Sequence, residues 1–433
     1  MSQPTPTPHP TLLIIGAGTH GTSLAYHLSL TPLGPSGAIT IVDRDDILTP
    51  SQAASAAAAA ALDLNRIVRT DYATPLYSAL ANEALHAWRW ELALQRFFHR
   101  SGWVVLSGGS GEGEAEELEA VRRVMRERGF DRSEDVDVHG GEVGRRWGAL
   151  RGTEVCSCSS SSSSSSGFGK GYFHPEVGWV DARGATGSLM RVAEGRGVRR
   201  VKGEVGGLVW DEGKGCVGGV WLEGGRRLVA DKVVLAAGAW TSGLMAPIEE
   251  RLGIVMEDRV ERQARAMGVV SAYFRLSEEE ARRLAEPDEL PIVVYGKVGE
   301  VIPPSEEERL LKYNLSGLRI VNSVTTKAGS TISVPTTPQQ DQHDVPSKIK
   351  QEIESSLTSK LLPDVLQGRP AEYYRICWDS CTPTEDLLMC KHPDERLGNL
   401  YLALGGSFGG YKYVSLWLEG NLPLMSRHDI ADL

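Results

Sequence analysis

The chain has 433 residues, 41% of them apolar and 24% charged, which suits a globular protein with a sizeable core and more than one domain. A net charge of −10 leaves no electrostatic footprint for DNA or RNA. Six cysteines in a chain of this length do not make a disulfide scaffold.

The proline-rich start, Met1 to Pro10, lacks the basic-then-apolar pattern of a secretory signal. No apolar run is long enough to cross a bilayer; Ala56 to Leu62 falls far short. Thr11 to Ile15 reads as a buried parallel strand, a helix follows from about His20 to Leu30, and Ala38 to Val42 is a second strand that ends at Asp43. Ala73 to Phe98 predicts one long amphipathic helix, and Glu112 to Arg128 a charged surface helix. The serine tract in residues 156–167 buries too little apolar area to fold and reads as a disordered loop. Cys156 and Cys158 have no partner at metal-ligand spacing, and no metal site is expected anywhere. From Val198 to Gly238 short strands alternate with glycine turns, ending in Lys232-Val233-Val234-Leu235-Ala236-Ala237-Gly238, which reads as a strand returning to the first sheet. Helices are expected at Glu278 to Leu284 and Lys348 to Leu361. A last strand, Asn399 to Leu404, leads through Gly405-Gly406 into a helix to about Leu424.

Gly16-Ala17-Gly18-Thr19-His20-Gly21 fits GxGxxG in the right context, after a strand and at the start of a helix. Gly16 permits the tight turn, Gly18 lets backbone approach a pyrophosphate, and Gly21 lets helix pack on strand. The N–H groups of Thr19 and His20 would face phosphate from a helix N-terminus, with His20 a backbone contributor and no catalyst. Asp43 is placed to accept the ribose hydroxyls, with Arg44 next to it. The motif alone leaves NAD and FAD open. The late strand ending Ala236-Ala237-Gly238 and the glycine-rich strand–helix near the C-terminus favour an FAD fold completed by distant segments.

Further residues carry a family resemblance. Asp63-Leu64-Asn65-Arg66-Ile67-Val68-Arg69-Thr70-Asp71-Tyr72, Cys377-Trp378-Asp379 with Thr382-Pro383, and Gly405-Gly406-Ser407 with Gly410-Tyr411-Lys412-Tyr413 occur in that order. Together they resemble the FAD-dependent fructosyl amino acid oxidase and monomeric sarcosine oxidase family, within the D-amino acid oxidase superfamily. The resemblance implies an α/β fold: a Rossmann-like FAD-binding domain (1–110, 170–245 and 370–433) interleaved with an α+β substrate domain on an antiparallel sheet (111–169 and 246–369). It implies a thioether from Cys377 to FAD, and Lys312 as the lysine beside the flavin that assists reaction with oxygen. Leu310 and Leu311 before Lys312 and Tyr313 after it suit an interior strand. It further implies that Lys412 binds the substrate carboxylate, that Arg66 lies close to the flavin, that Val205 meets the adenine, and that Gly405 and Gly406 approach the cofactor. Arg69 reads as a structural ion-pair partner; Cys381 and Cys390 read as structural.

The chain departs from the family pattern in three places. Ala56 to Leu62 replaces a small polar stretch, Phe408-Gly409 stands where Gly-His is usual, and Val301-Ile302-Pro303-Pro304 lacks the glutamate of fructosyl enzymes, although Glu306 to Glu308 lie close. The expected function is oxidation of a secondary amine, an N-substituted amino acid of the N-methyl, fructosyl, saccharopine or pipecolate kind, giving an imine and hydrogen peroxide. A bulkier, aromatic amine fits the altered positions as well. The partners expected are that small amine and molecular oxygen, for a monomer in the cytoplasm with no nucleic acid and no membrane. No peroxisomal address is read at Ile430-Ala431-Asp432-Leu433. Three rivals stand beside this reading: a tailoring oxidase acting on an alkaloid-like amine, an NAD-dependent dehydrogenase, and an inactive flavin-binding protein.

Overall fold

The computed structural model describes residues 10–48, 59–106, 112–137, 142–153, 170–296, 298–335, 341–357 and 361–415. The serine tract, residues 56–58 and everything past 415 lie outside them. The first sheet has six strands in the order Leu388–Lys391, Leu400–Leu404, Lys232–Leu235, Leu12–Ile15, Ile39–Asp43, Arg199–Lys202. The last five of these run parallel, and Leu388–Lys391 pairs antiparallel at the edge. Leu12–Ile15 is buried at every position, as a central strand covered on both faces must be. Helix Thr19–Ser29 follows it and packs beside helix Ala182–Gly195. The N-terminus of Ala182–Gly195 is capped by Asp181, whose Oδ1 accepts the Gly184 N–H at 2.9 Å.

The second large sheet has eight strands: Tyr373–Cys381, Arg265–Arg275, Leu310–Asn314, Gly299–Ile302, Ile292–Tyr295, Trp103–Leu106, Lys170–His174, Glu134–Asp137. Every pairing is antiparallel except that of Ile292–Tyr295 with Trp103–Leu106. Three of its strands (Trp103–Leu106, Lys170–His174 and Tyr373–Cys381) come from segments expected in the FAD-binding part. The sheet thus draws on segments from both sides of the expected boundaries, with Tyr373–Cys381 at one edge and Trp103–Leu106 and Lys170–His174 lying inside the other edge, Glu134–Asp137.

The two faces of this sheet have different chemistry. Phe173, Val104, Val293, Val301, Tyr313, Ala272 and Tyr374 point one way into an apolar core. The opposite face begins apolar with Trp103, Val105 and Ile292, which join the core shared with helices Thr19–Ser29 and Pro75–Trp90. It then turns polar along two adjacent rows. One row runs Ile302, Lys312, Tyr273, Tyr373, and the other Glu300, Asn314, Ser271, Arg375. A strand buries alternate residues, so Lys312 between Leu311 and Tyr313 is directed away from the apolar core by register alone.

Two helices differ from expectation. The expected helix Ala73–Phe98 is Pro75–Trp90, opened by proline in its first turn and ended where Glu91 turns extended. Trp90 and Leu92 are exposed, so the apolar run that suggested a longer helix does not all face a core. Lys348–Leu361 is observed as Ser347–Ser356.

Candidate active site

A cavity of about 260 Å³ runs along the C-terminal ends of the parallel strands. Gly16, Gly18, Thr19, His20, Asp43, Arg44, Glu204, Val205 and Trp240 line one part of it. Ala59, Ala60, Ala61, Arg66, Trp378, Asp379, Gly406, Phe408 and Tyr411 line another.

In the first part each glycine has a distinct steric reason. Gly16 has φ +100°, and a Cβ there would stand 2.4 Å from the Ala236 carbonyl oxygen. A Cβ on Gly21 would stand 1.8 Å from the Gly16 carbonyl oxygen. Gly18 has only the Ala61 methyl at 3.9 Å, which leaves its backbone open to the cavity. It is also the N-cap of Thr19–Ser29, and no side chain caps that helix. Its first N–H groups thus face the cavity, as anion binding requires. Asp43 accepts the N–H of Ala17 at 2.6 Å and of Asp45 at 2.8 Å, which fixes its carboxylate at the strand end. Burial raises its pKa, and those two backbone donors only partly offset this. Arg44 lies 4.3 Å over the Trp240 ring. Burial lowers His20 to about 4, so its ring is neutral near pH 7.

In the second part the chain concentrates charge. Asp63 is fully buried. Lys312 Nζ donates to its Oδ2 at 2.6 Å and to the Asn65 carbonyl at 3.0 Å. Arg66 Nη2 lies 3.3 Å from Oδ2. Arg375 Nη1 lies 3.2 Å from Oδ1, as an ion pair without hydrogen-bond alignment. Tyr273 donates its hydroxyl to Oδ1 at 2.5 Å, and the Leu64 N–H donates to the same oxygen at 2.8 Å. One carboxylate is thus set against three cations. Burial pushes the Asp63 carboxyl up, but Lys312, Arg66 and Arg375 outweigh it and hold the group far below the usual carboxylate range. Burial lowers Lys312, and Asp63 only partly restores it.

Cys377 is buried, and Arg66 Nη2 donates to its Sγ at 2.9 Å. The same guanidinium donates to the Ala60 carbonyl at 3.2 and 2.7 Å, while Arg375 donates to the Ala59 carbonyl at 2.9 Å. The described part of the alanine segment therefore anchors both arginines through its backbone, which needs no polar side chain.

Past Gly405 (φ +82°), Ser407 and Phe408 adopt φ of +43° and +61°. Asp379 holds this turn by accepting the Phe408 N–H at 2.8 Å. The turn delivers Lys412 within the short 3₁₀ helix Tyr411–Ser415; the remainder of the expected helix lies outside the described residues. Trp88 Nε1 donates to the Lys412 carbonyl at 2.9 Å, and Lys412 is 3% exposed. Its ammonium donates to the Tyr72 hydroxyl and the Gly409 carbonyl. Arg69 lies 4.3 Å over the same Tyr72 ring and 5.2 Å over Trp103, and donates to the Asp71 carbonyl. Asp71 itself is taken by Tyr172 at 2.9 Å and His174 at 3.1 Å. Two cations therefore share one tyrosine. Burial raises the Tyr72 phenol, but Lys412 and Arg69 outweigh it and leave its pKa lowered. Burial, and next in lowering effect Arg69, depress Lys412.

The structure thus gathers Gly16, Gly18, Thr19, His20, Asp43, Arg44, Arg66, Val205 and Gly406 around one cavity, with Gly21 and Gly405 shaping its turns. It puts Cys377 against Arg66 and buries Lys312 and Lys412. Asp63, Arg375, Tyr273 and Asp379 were assigned no role from sequence, and Arg69 only a structural one. The Asp63–Arg66 spacing was the one local signal. Cys381 is buried and its thiol pushed up by burial, consistent with a structural place. Glu306 to Glu308 form an exposed turn. Among the described residues no His, Cys, Asp and Glu cluster could hold a metal, and no helix is long and apolar enough to cross a membrane.

Residues 11–416 match the family model described as DAO, FAD dependent oxidoreductase. A protein named amino acid oxidase fsqB from Aspergillus fumigatus is 26% identical, the match covering 96% of this chain and 92% of that protein. L-saccharopine oxidase of Schizosaccharomyces pombe is 24% identical over 93% of this chain and 87% of its own length. Among solved structures, a modified fructosyl peptide oxidase from Aspergillus nidulans in complex with FSA superposes with a TM-score of 0.76 at 24% identity. That match covers 95% of this chain and 89% of the other, and it is a likeness of fold.

Proposed function

Because the chain belongs to the family of FAD-dependent oxidoreductases, we propose that it oxidises a secondary amine bearing a carboxylate, an N-substituted amino acid, with oxygen as final acceptor and an imine and hydrogen peroxide as products. The observation that carries the substrate class is the pair of cations, Lys412 and Arg69, sharing Tyr72. The names of the relatives, an amino acid oxidase and a saccharopine oxidase, agree with it.

The cavity suits FAD. Gly16, Gly18, Thr19 and His20 would hold the pyrophosphate, and Asp43, Arg44 and Val205 the adenosine part. Ala59 to Ala61, Arg66 and Gly406 would take the flavin end, with Cys377 as the covalent tether. A nucleophilic sulfur needs a compensating charge, and Arg66 provides one. When bound, FAD supplies a two-electron acceptor for the C–H beside the amine nitrogen.

The rest follows from the protein's own groups. Lys412 and Arg69 would bind the carboxylate and fix the amine's orientation. The same cations disfavour an ammonium close by and so help keep the reacting amine neutral, the form that can give up hydride. The positive surplus around Asp63 suits a region where negative charge arrives, and Lys312 is its pre-positioned cation toward oxygen. Peroxide release would be measured across N-methyl, N-fructosyl and cyclic secondary amino acids, saccharopine and carboxylate-free amines. Turnover confined to carboxylate-bearing amines supports the reading. Turnover of carboxylate-free amines alone would favour the alkaloid-tailoring alternative and sink it.

A further inference from the structure

Glu300 is a half-buried carboxylate on strand Gly299–Ile302, on the polar face of the eight-stranded sheet. Its cross-strand neighbours are Val294 on one side and Asn314 on the other. The latter pair is part of a chain of hydrogen bonds across three strands. Ser271 Oγ donates to Asn314 Oδ1 at 2.7 Å, which turns the Asn314 amide so that its Nδ2 donates to Glu300 Oε2 at 3.3 Å. Ser271 is 1% exposed, so the far end of this chain is closed to water. The carboxylate is thereby aimed and held, yet among the described residues its one such donor is a neutral amide.

Among the described residues no lysine, arginine or histidine nitrogen lies within ion-pair distance of Glu300. Arg69 and Lys412 feel its negative charge without touching it. A carboxylate has roughly four acceptor sites, and Glu300 uses one of them on Asn314, so it can accept from a further donor. It would also repel the carboxylate of a bound substrate. A donor brought by the substrate itself would offset that repulsion.

From this we infer that Glu300 is the pole of a second substrate subsite, taking an ammonium or hydroxyl on the arm remote from the substrate carboxylate. The inference rests on the carboxylate anchoring assigned above to Lys412 and Arg69. It makes the preferred substrate an N-substituted amino acid with a polar, donor-bearing side arm, favoured over simpler acids.

The test is calorimetric titration of the holoprotein with β-alanine, γ-aminobutyrate and ε-aminocaproate against propanoate, butanoate and hexanoate, in wild type, Glu300→Gln and Lys412→Met. At the chain length that spans the two subsites, wild type should bind the amino acid about tenfold or more tighter than the plain acid. Glu300→Gln should bring that ratio to within about twofold while binding plain acids as well as wild type does. Plain acids that bind wild type with no advantage for the amino series would overturn the Glu300 subsite and leave the carboxylate anchor standing. Loss of plain acids in Glu300→Gln would mark a structural role and overturn it too. Plain acids that bind neither protein, or bind Lys412→Met as well as wild type, would take down the anchor and the subsite together.

Discussion

Asparagine in place of Asp63 keeps the shape of the buried side chain and removes its charge. Lys312, Arg66 and Arg375, which lie 2.6, 3.3 and 3.2 Å from the two oxygens, are then left without their counter-ion. Removing one partner of a buried ion pair costs about 3–5 kcal/mol. A chain of 433 residues unfolds with an entropy near ~0.9 kcal/mol/K, so the melting temperature should fall by roughly 3–5 °C. The pH dependence has a definite sign. The folded pKa of Asp63 is depressed, so its stabilisation is complete above the unfolded value of about 3.9 and is lost only as pH falls toward the folded one. At pH 7 the full penalty of the variant is therefore visible. Burial already lowers Lys312, and Asp63 is the first group raising it again. In Asp63→Asn the lysine should titrate lower still, and the variant should recover stability as pH rises and that proton is shed. Melting followed by circular dichroism from pH 5 to 9, with flavin content checked at each pH, reads both effects. A variant within about 1 °C of wild type at pH 7, with the same pH profile, would refute the idea that one carboxylate holds three cations in place.

Ala at Gly16 or Gly21 should leave a colourless protein, since each Cβ would stand within 2.4 Å of a backbone oxygen in the turn; the ratio of flavin to protein absorbance checks it. Lys312→Met should slow reoxidation by oxygen roughly 10²–10³-fold while anaerobic reduction by substrate changes far less, a split that stopped-flow absorbance resolves. Cys377→Ala should release its flavin on acid precipitation where wild type retains it in the pellet; release from both would withdraw the thioether. His20 has its folded pKa lowered to about 4 by burial, so stability should decline as pH falls from about 6.5 toward 4 and His20→Gln should flatten that decline in a pH series of melts.

The glycine turn was legible because its requirements are local: Gly16, Gly18 and Gly21 answer to a turn, a ligand and a packed helix within six residues. The interior place of Lys312 was legible for a similar reason, since alternation along Leu310–Asn314 already sets it opposite Leu311 and Tyr313. The Asp63 cluster was not legible. Asp63 and Arg66 are close in sequence, but Lys312, Tyr273 and Arg375 come to them from strands of the eight-stranded sheet far along the chain, and no spacing rule encodes that. Glu300, next to Val301-Ile302-Pro303-Pro304, was not legible because its place opposite Asn314 is set by pairing across strands. Arg69 was assigned to a structural ion pair; the Asp71 carboxylate goes to Tyr172 and His174, and Arg69 lies over Tyr72 beside Lys412. The helix expected over Ala73–Phe98 stops at Trp90, and Trp90 and Leu92 are exposed.

Anaerobic mixing of the purified holoprotein with an N-substituted amino acid and, separately, with its methyl ester tests most directly whether this is a carboxylate-anchored amine oxidase. The acid should bleach the yellow flavin band, and the ester, which offers Lys412 and Arg69 no charge, should bleach it at least about tenfold more slowly. Equal bleaching by acid and ester would contradict the anchoring, and a flavin that no secondary amine bleaches would contradict the proposed oxidation itself.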